Sequence, residues 1–101
     1  MLSNEKAALN LLGLAMRAGQ VVSGDDMCER EVRAGKIAIV LMDEEVSVNT
    51  RKKYTSLCGE RKVPRYEISA DALGNAIGKP NRMIAAVRKG SLAKKLGALL
   101  G

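Results

Sequence analysis

A chain of 101 residues, 47% apolar and 28% charged, supports one hydrophobic core and lies outside the composition of disordered segments, so a single domain over residues 1–101 is expected. The longest apolar run, Ile37 to Met42, is far short of the about 20 residues that cross a bilayer, and Glu5 and Lys6 stand where a signal peptide would be apolar; no membrane partner and a cytoplasmic location are expected. The formal charge of +6 points to a polyanionic partner, while the absence of His, Phe and Trp removes histidine-based catalysis and leaves base stacking on aromatic platforms only two Tyr to work with.

In chain order, Asn4 to Ala18 places Ala8, Leu11, Leu12, Ala15 and Met16 on one helical face, with Ser3 as the expected N-cap and Gly19 as the stop. Gln20 to Ser23 reads as a short extended piece. Gly24-Asp25-Asp26 then opens a second helix, about Asp25 to Ala34, whose acidic first turn suits the helix dipole and which ends at Gly35. The branched run Ile37 to Met42 reads as a central strand covered on both faces. Ser47 is expected to cap a third helix reaching about Cys58 and ended by Gly59. Val63-Pro64 leads into a strand at Arg65 to Ile68, and Ser69 is expected to cap a fourth helix ending near Gly78. A loop at Lys79-Pro80-Asn81 precedes a strand from Arg82 to Val87, and Ser91 is expected to cap a last helix with Leu92, Leu96, Leu99 and Leu100 on its apolar side. This alternation predicts a three-layer α/β/α sandwich around a small mixed four-stranded sheet.

The charge is unevenly placed: residues 1–50 hold five Lys or Arg against eight Asp or Glu, and the remainder twelve against three. The basic surface therefore belongs to the second half. Cys28 and Cys58, with no CxxC pair and no histidine, read as reduced, buried thiols, and neither a metal site nor a catalytic residue is expected.

The succession MRAGQVVSG, RAGKIAIVLMDEEVS, LCGERKVP and LGNAIGK, with Gly24, Gly35, Cys58, Pro64, Leu73-Gly74 and Gly78 in order, resembles the kink-turn-binding ribosomal proteins of the L-seven-Ae and L-thirty-e type. Arg17-Ala18-Gly19 and the stretch Ser47 to Lys53 bring it nearest to the small bacterial YlxQ-like members. The resemblance spans essentially the whole chain. It implies an RNA grip in which the N-terminus of the second helix enters a widened groove beside tandem G·A pairs while the loop after the fourth helix covers an extruded nucleotide. Carried onto this sequence, the RNA-binding residues are Gly24, Asp25, Asp26, Met27 and Arg30, with Lys79, Pro80, Asn81 and Arg82 opposite, and Arg33 and Lys36 as further cations on the helix. Where strong kink-turn binders have Asn then Glu after the glycine, this chain has Asp26 and Met27; Asp26 accepts from a guanine amino group but cannot donate to a carbonyl.

Each of these groups also has an ordinary structural use. Asp25 and Asp26 suit any helix start, and Arg30, Arg33 and Lys36 sit among Glu29 and Glu31 as a solvated face would. A second basic cluster, Arg51-Lys52-Lys53 with Arg61, Lys62 and Arg65, falls on the third helix and its exit. The expected function is binding of structured RNA, ribosomal RNA included, by a monomer without cofactor, with a ribosomal or translation-factor protein as a further partner. The alternative is a protein-interaction module on the same fold that has lost kink-turn specificity. An enzyme is not expected, because no nucleophile-base pair, metal cluster or paired carboxylates outside helix starts can be found.

Overall fold

In the computed structural model, residues 2–101 are described, with side-chain burial from residue 4 onward. The chain runs α1 (Leu2–Arg17), β1 (Val21–Ser23), α2 (Asp25–Arg33), β2 (Ile37–Asp43), α3 (Val48–Arg61), β3 (Arg65–Ile68), α4 (Ala72–Ala76), β4 (Ile84–Arg88) and α5 (Ser91–Leu100). The sheet order is β1-β4-β2-β3. β2 pairs in parallel with β3, and β4 pairs antiparallel with both β2 and β1, so the sheet is mixed and four-stranded as expected.

The branched run of β2 is central because it has a core on each face. Ile39 and Leu41 enter one core with Ala8, Leu12 and Ala15 of α1, Leu73 of α4 and Leu96 of α5. Val40 and Met42 enter the other with Cys28 and Val32 of α2 and Tyr54 and Leu57 of α3. Ile37 joins the second core instead of the first, because the pairing with β4 slips between Ile37 and Ile39 and breaks the alternation. Every named side chain is buried, and each contributes on the order of 1.5–3 kcal/mol for the larger aliphatics. Cys28 and Cys58 are free and pack in the α2–α3 core. Burial, reinforced by the nearby Asp25 carboxylate, pushes the Cys28 thiol up to about 12, which makes it a packing group rather than a nucleophile.

Several element ends differ from the sequence expectation, each for an identifiable reason. α3 continues through Gly59 to Arg61 and stops at Lys62, which is left-handed at φ 58°; a helical glycine costs only about 1 kcal/mol, less than the packing of Leu57 and Cys58 in the last turns returns. Ser69 does not cap α4. Its amide and hydroxyl both donate to the Glu5 carboxylate, at 2.7 and 2.8 Å, and the helix is shorter, starting at Ala72 after a left-handed Asp71. The Asp71 amide is held instead by the buried Asp43 carboxylate at 2.8 Å, whose other oxygen accepts from the Glu45 amide at 2.7 Å. Gly90 occupies the cap position of α5, one residue before the expected Ser91. The backbone of Ser3 lies within α1, and its side chain lies outside the described residues. β4 begins at Ile84, two residues later than expected, which leaves Arg82 in the preceding loop.

Candidate nucleic-acid interface

Gly24 joins β1 to α2 at φ 89°, a left-handed value that favours glycine, and its amide donates to the Ile84 carbonyl at 3.0 Å. The helix therefore starts where the sheet ends. No side chain caps α2, so its first-turn amides stay open to an acceptor from outside, at the positive end of the helix dipole.

The two aspartates of this turn have separate surroundings. Asp25 is turned into α3: its carboxylate lies 2.6 Å from Lys53 Nζ and accepts from the Tyr54 hydroxyl at 2.9 Å, while its carbonyl accepts from the same hydroxyl at 2.8 Å. Burial alone would raise this carboxyl, but the hydrogen bonds from Lys53 and Tyr54 outweigh it and hold the group below its ordinary 3.8. Its charge is thus balanced within the protein. Asp26 is exposed and has no ion-pair partner among the described residues. Met27 presents a 42% exposed thioether on the same turn. Arg30, one turn further along, is exposed.

Opposite α2 lies the loop that joins α4 to β4. The Lys79 amide donates to the Gly74 carbonyl at 2.9 Å, and the Arg82 amide to the Lys79 carbonyl at 3.2 Å, with Asn81 left-handed at φ 73°. The loop can fold this closely onto α4 because a Cβ at Gly74 would sit 2.8 Å from the Lys79 carbonyl oxygen. Lys79, Pro80, Asn81 and Arg82 are all exposed. From here Arg82 reaches Gly24: a Cβ at Gly24 would collide with Nη1 of the guanidinium and lie 3.6 Å from its Cζ. Helix tip and loop share one cleft of about 470 Å³, walled by Gly24, Asp25, Asn81 and Arg82, with Glu45 and Ser47 of the β2–α3 connection and Thr50 of the first turn of α3 completing it.

Ser47 and Thr50 were expected only as part of a helix start, and Ser47 does cap α3, its oxygen accepting from the Thr50 amide at 3.2 Å. A capping serine gives no sign in the sequence that it also lines a cleft. Arg33 and Lys36, by contrast, are not brought to this site. They lie at and beyond the far end of α2, about 13 Å along the helix from Gly24 at 1.5 Å per residue. Half of the second basic cluster is engaged: Arg51 pairs with Glu67 and donates to the Glu44 carbonyl at 2.8 Å, Lys53 bridges Asp25 and Glu29, and Arg65 lies 3.9 Å from Glu67, whereas Lys52, Arg61 and Lys62 have no carboxylate partner among the described residues. Among the described residues no group of three or more Cys, Asp or Glu is gathered as a metal would require. No helix among them is long and apolar enough to cross a membrane.

The chain is similar along most of its length to known proteins. RNA-binding protein YlxQ of Bacillus subtilis (strain 168) is 45% identical over 91 residues, covering 89% of this chain and 91% of that protein. RNA-binding protein YlxQ of Enterococcus faecium is 36% identical over 98 residues, covering 96% and 94%. Neither name is that of an enzyme. Among solved structures, a protein of unknown function from Bacillus halodurans C superposes with a TM-score of 0.86 at 33% identity, over 91% of this chain and 94% of that one. The Giardia lamblia 15.5kD RNA binding protein shares the fold, with a TM-score of 0.77 at 22% identity over 98% and 90%. The sequence model of the family described as "Ribosomal protein L7Ae/L30e/S12e/Gadd45 family" matches residues 6–97, and with the fold and these relatives it makes the chain a member of that family.

Proposed function

We propose that this chain binds structured RNA as one domain, gripping it between the N-terminal turn of α2 and the loop before β4. The observation that carries this reading is the contact of Arg82 with Gly24, which sets a cation without a carboxylate partner beside uncapped helix amides at the rim of an open cleft. Phosphate is the ligand that satisfies both groups at once. Lys79 adds a second cation on the same loop, and Met27 adds apolar surface for a base or sugar. The names of the relatives point to the same ligand class. Because Asp25 is balanced by Lys53, the negative charges that face a phosphate here are those of Glu45, which lines the cleft, and of Asp26 on the helix tip.

Replacing Lys79 and Arg82 together by Ala should weaken RNA binding and make the plot of log affinity against log salt shallower by about two units, as filter binding at several salt concentrations would measure. An unchanged slope removes the loop from the site. Asp26→Asn removes a negative charge and supplies the missing donor, so it should raise affinity for an RNA with tandem G·A pairs more than for a plain duplex, where only the charge acts; equal effects on both would discard kink-turn recognition. The family description makes ribosomal RNA the first class to test, in a cytoplasmic, translation-associated setting.

A further inference from the structure

At the end of the sheet away from Gly24, three turns converge: α2 to β2, α3 to β3, and β4 to α5. Arg61, Lys62 and Lys89 line a cleft of about 350 Å³ there, which no Asp or Glu lines. Bonds to two main-chain carbonyls tie the chain at Arg33 and Lys36 to the same residues. Arg61 Nη1 donates to the Arg33 carbonyl at 2.9 Å, and the Lys89 amide to the Lys36 carbonyl at 3.1 Å. Arg33 pairs with Glu29 at 3.0 Å, but Lys36, Arg61, Lys62 and Lys89 have no carboxylate partner among the described residues.

Helix ends account for only part of this charge. α2 and α3 both finish here, and two helix C-termini supply about one negative charge between them, which leaves about three of the four unpaired cations uncompensated. The apolar part of the lining, Val32, Ile37, Ala38 and Val63, is buried or half-buried, and the exposed large apolar side chains among the described residues, Leu14, Met27 and Val48, belong to other parts of the chain, so no exposed apolar anchor stands here for a protein partner. Charge without anchors fits a phosphodiester backbone. β2 separates this cleft from the one at Gly24 by seven residues, roughly 20 Å at strand spacing, which is too far for one phosphate to reach both.

We propose that this cleft is a second RNA-backbone site, so that the chain holds two RNA segments at opposite ends of its sheet. The proposal rests on RNA being the ligand class, as in the reading above, but not on the contacts assigned to Gly24 and Arg82. Its test uses two RNAs carrying different fluorophores: a bulged duplex with tandem G·A pairs, and an uninterrupted duplex. The unaltered chain should hold both at once and give energy transfer between them. The triple variant K36A/K62A/K89A, which spares the Arg61 bond to α2, should bind the bulged RNA within about twofold of the parent. It should lose about tenfold or more for the plain duplex, with a salt slope shallower by up to about three units. Equal recruitment of the plain duplex by the triple variant overturns the inference, as does displacement of one RNA by the other. Retention of polyglutamate without RNA assigns the cleft to an acidic protein and overturns it too. If K79A/R82A leaves the bulged RNA unaffected while the triple variant keeps its defect, the function proposed above loses its site and this one stands; a chain that binds neither RNA overturns both.

Discussion

Lys53 and Arg82 both approach the first turn of α2, and they do opposite things there. Lys53 comes from α3 and is spent inside the protein, 2.6 Å from Asp25 and 2.9 Å from Glu29. Arg82 comes from the α4–β4 loop, lies against Gly24 and has no carboxylate partner among the described residues. One cation builds the helix tip, and the other is available to something outside. A count of basic residues treats them alike; only their acidic neighbours separate the two roles.

The strongest way to break this contrast is at Gly24. Gly24→Ala combines a left-handed backbone with a collision against the Arg82 guanidinium, so it should cost about 1–3 kcal/mol, read as a lower urea midpoint, and should also displace Arg82 and weaken RNA binding. The guanidinium is the tip of an exposed, flexible side chain and can swing away, so the stability cost is mainly backbone strain and should persist in an Arg82→Ala background, whereas the loss of RNA binding should not add to that of Arg82→Ala. Additive losses of binding would mean that the two residues act independently.

Next in size is the hydroxyl that ties α3 to α2. Tyr54 is fully buried and donates to both the carbonyl and the carboxylate of Asp25. Tyr54→Phe keeps the ring and should destabilise the fold by about 1–2 kcal/mol, measured by chemical denaturation. It should also reduce RNA affinity by loosening the helix tip; stability unchanged from the parent would show that the hydroxyl does not hold α2.

A smaller effect is expected from Lys53→Met, and it depends on pH. Asp25 lies below its ordinary 3.8, burial opposing but the Lys53 and Tyr54 bonds prevailing, and the hydrogen bonds of Lys53 and then Arg33 hold Glu29 below its ordinary 4.5. Groups depressed in the folded state stabilise it fully above those ordinary values, and the contribution fades as pH falls through the folded ones. The parent should therefore lose stability between pH about 5 and 2, and Lys53→Met should lose less over that window, as urea midpoints across the acid range would show. Identical acid profiles would exclude the Lys53 pairs as its source. Lys52→Ala, beside it but exposed and unpaired among the described residues, should stay within about 0.5 kcal/mol at every pH and serves as the control.

Much of the architecture was legible in the sequence. The branched run at Ile37 to Met42 could be placed at the centre of the sheet because a strand apolar on both faces has to be covered on both. Gly24 marked the helix tip, and the polar loop Lys79 to Arg82 marked its counterpart. Less legible were features set by contacts between distant segments. The short α4 depends on Asp43 holding the Asp71 amide and on Glu5 taking Ser69, bonds that join residues 28 and 64 positions apart. Arg33 and Lys36 looked continuous with Arg30, but the length of α2 carries Arg33 to the other end of the sheet, and Lys36 follows beyond the end of that helix.

The order and type of the elements, the buried central strand and the excess of positive charge were determined by the sequence itself, because hydrophobic period, turn residues and net charge are local or additive properties. Which cations remain unpaired, that Asp25 is neutralised by Lys53 and Tyr54, and that Arg82 rests on Gly24 were decided only by the tertiary structure. Pairing falls off steeply with distance, and the distances in question are set by how α2, α3 and the α4–β4 loop pack around the sheet, not by their separation along the chain.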